Sequence, residues 1–138
     1  MERRTLALAA LLAGWAAAGI AQDGTDAAAI AGVIDGQLDA FNARDIPDAW
    51  SFASPGIQML FGTPQNFAFM VQNGYPMVWT NGGAEFLDLR EEGGRLWQRV
   101  RLRDGAGGLH VLDYAMIETP DGWRIDGVVI LPAPEVGV

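Results

Sequence analysis

The chain has no cysteine, no lysine and one histidine among its 138 residues. Without cysteine there is no disulfide framework, no thiolate nucleophile and no site for a lipid-modified N-terminal cysteine. One histidine and no tight carboxylate cluster leave no ligand set for a metal. No motif calls for an organic cofactor either. Every base is an arginine; the nine of them stand scattered against 17 acids, a net charge of −8. A chain of that sign repels phosphate backbones, which argues against nucleic-acid binding, and its acidity reads as solubility. A Gly-x-Ser-x-Gly nucleophile elbow to pair with His110 is also missing. Gly93-Gly94 and Gly105-Ala106-Gly107-Gly108 lie between strand patterns, so they read as turns and not as phosphate cradles.

Long hydrophobic runs are scarce too. The apolar stretch from Leu6 to about Ala18 falls short of the roughly 20 residues that a spanning helix needs. It follows Arg3-Arg4 and precedes Gly19-Ile20-Ala21, a small-x-small cleavage pattern. Residues 1–21 are therefore read as a signal peptide, and the rest as one exported domain, 22–138, periplasmic or secreted. Cleavage removes two arginines and one glutamate, leaving 117 residues with a net charge of −9. That length builds one core, stabilised by packing alone, with no membrane segment left.

The domain divides into a helical half and a stranded half. Ile30, Ile34, Leu38 and Phe41 recur at spacings of four, four and three, one face of a helix ending near Asn42. Gly32 and Gly36 weaken that helix by about 1 kcal/mol each and leave room for a close neighbour. Asp45-Ile46-Pro47 opens a short second helix, closed by Ser54-Pro55-Gly56, with Ile57–Leu60 as an apolar link. Thr63-Pro64 caps a third helix running to Asn73, with Phe67, Met70 and Val71 on its buried face and Gly74 as its stop. Tyr75 to Trp79 is expected to be extended. Past Gly83 the period changes to two, giving strands over Ala84–Glu91, Arg95–Arg103, Leu109–Glu118 and Trp123–Leu131, joined by hairpin-length turns. Three helices followed by a four-stranded antiparallel meander make an α+β fold with the helices on one sheet face.

The Ala40-Phe41-Asn42-Ala43-Arg44-Asp45 segment, the helical middle, and the last strand Gly122-Trp123-Arg124-Ile125-Asp126-Gly127-Val128 resemble the nuclear transport factor 2-like superfamily. The Phe61–Trp79 segment with Gln98, Tyr114 and Trp123–Gly127 is similar, more narrowly, to a bacterial domain family of unknown function. The resemblance implies a curved sheet wrapped around a long helix, a cone with a cavity. That superfamily includes isomerases, dehydratases, cyclases and non-catalytic binding or dimerisation domains, so fold alone constrains function little.

Strand alternation assigns the faces. Leu96, Gln98, Val100 and Leu102 share one side with His110, Leu112, Tyr114 and Met116, and this is taken as the concave, helix-facing side. Trp123, Ile125, Gly127, Val129 and Leu131 are placed there too. In the first strand Phe86 competes with Leu87 and Leu89. Tyr75, Trp79, Gln98 and Tyr114 become the candidate ligand-binding residues of a small apolar pocket. Tyr114 and His110 are the candidate catalytic pair of a cofactor-free isomerase or dehydratase. The plainer reading has the buried Tyr and Gln satisfying nearby backbone groups. An isomerase wants a buried carboxylate base, and only Asp88 is available, if the Phe86 face points inward. On the outer face Arg99, Arg101 and Arg103 ladder against Asp113, Arg124 and Asp126. Trp97, Leu109, Val111, Ala115 and Ile117 among them point to a sheet-mediated homodimer. The leading reading is a non-catalytic module that binds a small apolar ligand or a protein partner.

Overall fold

The computed structural model describes residues 22–132; the signal-peptide reading, 1–21, lies outside them. A π-helical turn (Gln22–Asp26) leads into α1 (Ala27–Asn42). Four shorter helices follow: α2 (Ile46–Ser51), α3 (Pro55–Phe61), α4 (Pro64–Gly74) and α5 (Pro76–Trp79). Strands β1 (Asn81–Glu92), β2 (Arg95–Asp104), β3 (Leu109–Thr119) and β4 (Gly122–Leu131) then form an open antiparallel sheet in the order β1-β2-β3-β4. The fold is α+β, with the helices packed against the sheet.

The helical half holds five α-helices where the sequence suggests three. The link over Ile57–Leu60 is part of α3, and the stretch expected to be extended after Tyr75 is α5. All four short helices carry proline in their first turn, where its missing N–H costs nothing. Ser54 caps α3 by accepting from Ile57 N at 3.1 Å, as Thr63 caps α4 by accepting from Asn66 N at 3.1 Å.

Helix α1 buries the predicted face: Ile30, Ile34, Leu38 and Phe41 are all at most 2% exposed. Gly36 lets α2 close on it, since a Cβ there would stand 2.6 Å from Phe52 Cζ. The end of α1 is a Schellman turn. Asp45 N donates to Ala40 O at 2.8 Å and Arg44 N to Phe41 O at 3.0 Å. Arg44 takes the left-handed position, φ 58°, that glycine usually fills. Its guanidinium donates to the carbonyls of Phe41 and Trp79 and to Thr80 Oγ1, and it lies over the Trp79 ring. Asn42 and Asn81 exchange hydrogen bonds beside it, which ties the end of α1 to the start of β1.

The sheet has three register shifts, at Gly82-Gly83, at Leu87-Asp88 and at Asp126, and the last two correct the alternation. In β1, Phe86 pairs with Val100 and Leu89 with Gln98, so Leu87 and Asp88 together face Arg99. Phe86 and Leu89 therefore both join the inner face, and the competition between them dissolves. In β4, Ile125 pairs with Met116 but Gly127 with Ala115, leaving Asp126 as the extra residue. Beyond it the faces swap. Val128, opposite Tyr114, points inward, and Val129, opposite Asp113, points outward, against the sequence expectation for Gly127, Val129 and Leu131. The free edge of β4 is met by Ala53 in a parallel bridge, with Ile125 N bonded to Phe52 O and Ser54 N to Ile125 O.

Candidate functional site

The inner face does not fill solidly. A cavity of about 270 Å³ lies between the aromatic end of α1, helices α3 to α5, and the middle of β3 and β4. Phe41, Phe61 and Phe67 stack with tilted or edge contacts, 5.9 Å between centroids, to make one wall. Ile57 and Leu60 of α3, Met70 and Val71 of α4, and Ile125 and Val128 of β4 make the others. Leu60 is at once a wall residue and 72% exposed, so the cavity opens beside α3. The bulge at Asp126 is what turns Val128 toward this space.

Three polar side chains border it: Gln37, Tyr75 and Tyr114. Gln37 Nε2 donates to Ala49 O at 3.1 Å, and Tyr75 Oη donates to Val128 O at 2.8 Å. Tyr114 differs. Its ring is buried and its Oη has no hydrogen-bond partner among the described residues. Burial, with smaller contributions from Tyr75 and Asp35, pushes its phenol well above the ordinary tyrosine range, so Oη stays protonated. Among the described residues no charged side chain lines the cavity.

Of the residues singled out in the sequence, Tyr75 and Tyr114 meet at the cavity, and Trp79, Gln98 and His110 do not line it. Trp79 lies under Arg44 with its ring centroid 5.9 Å from that of Phe41. Gln98 Nε2 donates to the carbonyls of Leu87, Asp88 and Arg99 at 3.1, 3.4 and 2.9 Å, so the amide stitches the β1 bulge. His110 Nε2 sits 2.7 Å from Asp104 Oδ2 at the β2–β3 turn. Four strand residues, about 13 Å, separate it from Tyr114, so the two cannot grip one small molecule. Asp88 is not the inward base either: the bulge turns it to the outer face, 3.6 Å from Arg90 and 3.7 Å from Arg99. Among the described residues no group of three His, Cys, Asp or Glu side chains is placed to hold a metal ion.

The wall residues the sequence reading missed are mainly Ile57, Leu60 and Val128. Ser54-Pro55 repeats the capping pattern of Thr63-Pro64, which marked α4, and so pointed to the helix that carries Ile57 and Leu60. For Val128 the signal was an apolar spacing of three, Ile125 to Val128, inside a period-two strand. Phe86 to Leu89 shows the same spacing at the other bulge.

Fold and cavity together define a small α+β domain with an apolar pocket open on one side. The chain belongs to the family described as Domain of unknown function (DUF4864), whose model matches residues 23–138. No curated protein and no solved structure matches it.

Proposed function

We propose that the protein is an exported, non-catalytic module that binds a small apolar ligand in this cavity, within a nuclear transport factor 2-like cone. The cavity itself carries the reading: its walls are apolar, it opens to the surface, and few polar groups converge on it. Its volume of about 270 Å³ sits near the small end of ligand sites, which start at about 300 Å³. Export rests on the basic and apolar pattern of residues 1–21. The helices gathered on one face of a single antiparallel sheet support the cone.

The enzyme reading has less behind it. A proton transfer needs an acid or base at the reacting atom. The cavity offers a phenol that stays protonated and no carboxylate or imidazole. Homodimerisation through the outer sheet face is favoured by Leu109, Ile117 and Val129, which are 53%, 41% and 46% exposed there. Sedimentation velocity checks it, with Ile117→Glu expected to leave a monomer if the face pairs.

Native mass spectrometry of the protein purified from its own cellular envelope tests the binding reading. A retained small molecule, lost when Val71→Trp fills the cavity, is the expected result. A protein that comes through bare, and that also takes up no apolar probe in titration, would end the reading.

A further inference from the structure

We propose that the cavity takes a neutral, mostly apolar molecule carrying one hydrogen-bond acceptor, seated with that acceptor on Tyr114 Oη. This rests on the binding reading above and adds the class of ligand. The first observation is the state of the three polar wall residues. The Gln37 amide nitrogen and Tyr75 Oη are engaged by backbone carbonyls, and Tyr114 Oη is not. A buried hydroxyl is ordinarily paired, so one without a partner, on a side chain that lines a cavity, marks where a ligand atom belongs.

The second observation is charge. Among the described residues no wall residue is ionisable apart from the two tyrosines. Residues 54–80, which supply α3, α4 and α5, contain no Asp, Glu, Lys, Arg or His, although the whole chain carries 17 acids and nine arginines. A charged ligand would lose its hydration at those walls and meet no counter-charge. The phenol, held neutral by burial, offers a proton to an uncharged acceptor and no negative charge to a cation.

The third observation is size. A dry cavity of about 150 Å³ accommodates benzene in another protein, so about 270 Å³ suits a substituted single ring or a short branched chain. Tyr114 Oη exposes less than 1 Å², so the ligand's acceptor reaches it only as the wall yields. Met70, unbranched and half-buried, and Leu60, mostly exposed, are the wall side chains freest to move.

The test uses three probes of similar size on the purified protein: acetophenone (a ketone), α-methylstyrene (its hydrocarbon analogue) and benzoate (an anion). Calorimetric titration gives each affinity in the wild type and in Tyr114→Phe. The ratio of ketone to hydrocarbon affinity is expected to fall about fivefold in Tyr114→Phe, the equivalent of one neutral hydrogen bond. Benzoate is expected to bind at least tenfold more weakly than the ketone. In the wild type labelled with 13C at tyrosine Cζ, acetophenone should shift the Tyr114 signal more than α-methylstyrene does, whereas Tyr75, on the same wall with its Oη on Val128 O, should respond alike to both. That measurement needs no variant, so it stands even if Tyr114→Phe folds poorly. An unchanged affinity ratio, a Tyr114 signal that the ketone shifts no more than the hydrocarbon does, or benzoate binding as tightly as the ketone overturns the ligand class and leaves the binding reading intact. Failure of all three probes to bind overturns both.

Discussion

Asp113 and Tyr114 are neighbours on β3, both at most 5% exposed, and they look to opposite sides of the sheet. On the outer side Asp113 takes two hydrogen bonds from Arg90, at 3.1 and 2.5 Å, with Arg99 4.0 Å away. On the inner side Tyr114 Oη has no partner among the described residues. Burial is the same and bonding is opposite. The outer group is closed by its own fold; the inner one is left for something that enters. This difference separates a polar group that stabilises the domain from one available to a ligand.

The largest expected effect breaks the closed side. Asp113→Ala removes the buried acceptor that Arg90 and Arg99 share and leaves them only the more exposed Asp88 and, for Arg90, Glu92. The arginines are themselves 25% and 36% exposed, which places the loss at about 2–4 kcal/mol, below that of a fully buried pair. Urea unfolding measures it. A loss under about 0.5 kcal/mol would mean that the outer face is no better closed than the inner one. Arg90→Leu in the same background should recover part of the loss, since it removes one of the two guanidinium groups that lose their buried acceptor.

A smaller effect sharpens the inner side, which depends on close packing where the outer depends on charge. Gly36→Ala gains about 1 kcal/mol of helix propensity. Against this, its Cβ would stand 2.6 Å from Phe52 Cζ and force that ring out of place. Overpacking costs about 1–3 kcal/mol, so the net sign is destabilising. Gly32, in the same helix, has nothing within 4 Å of its would-be Cβ. Gly32→Ala should therefore stabilise by up to about 1 kcal/mol. Thermal unfolding of the two variants separates the predictions; the same sign for both would remove the close-approach account of Gly36.

Those two glycines also show how much was legible in the sequence. The face of α1, the four strands and the meander follow from apolar spacing, and β2, which keeps strict alternation, has its inner row Leu96, Gln98, Val100 and Leu102 buried as expected. Alternation fails where a residue is inserted, at Leu87–Asp88 and at Asp126, because one extra residue sends every later side chain to the other face. The cavity was legible through Tyr75 and Tyr114 and obscured through Val128, which the bulge at Asp126 turns inward. His110 and Gln98 carry the right chemistry for a site, yet each is engaged by local geometry, a turn carboxylate and a bulge's carbonyls. Composition does not reveal such engagement; only the register does.

On the open side, Tyr114→Phe deletes a buried hydroxyl that has no partner. An unsatisfied buried group costs roughly 1–3 kcal/mol, and relaxation of the wall recovers part of that. The variant should be as stable as the wild type or more stable by about 1 kcal/mol, measured as a rise in Tm without ligand. A clear loss of stability would mean that the hydroxyl is satisfied within the fold, and the contrast with Asp113 would collapse.

The smallest effect lies away from both faces, at the β2–β3 turn. Asp104 accepts from His110 Nε2 at 2.7 Å and from the backbone N–H groups of Gly108 and Ala106 at 2.8 and 2.9 Å. The bond to His110, then that to Gly108, holds its carboxyl below the ordinary aspartate value of 3.8. A depressed carboxyl binds its proton more readily in the unfolded chain. Its contribution is therefore present above pH 3.8 and is lost as the pH falls through the lower folded value. Asp104→Asn should flatten the acid limb of the stability profile in that window and leave the profile at neutral pH nearly parallel to the wild type. The readout is Tm against pH for both proteins. An acid limb unchanged by the substitution would assign acid unfolding to other carboxylates.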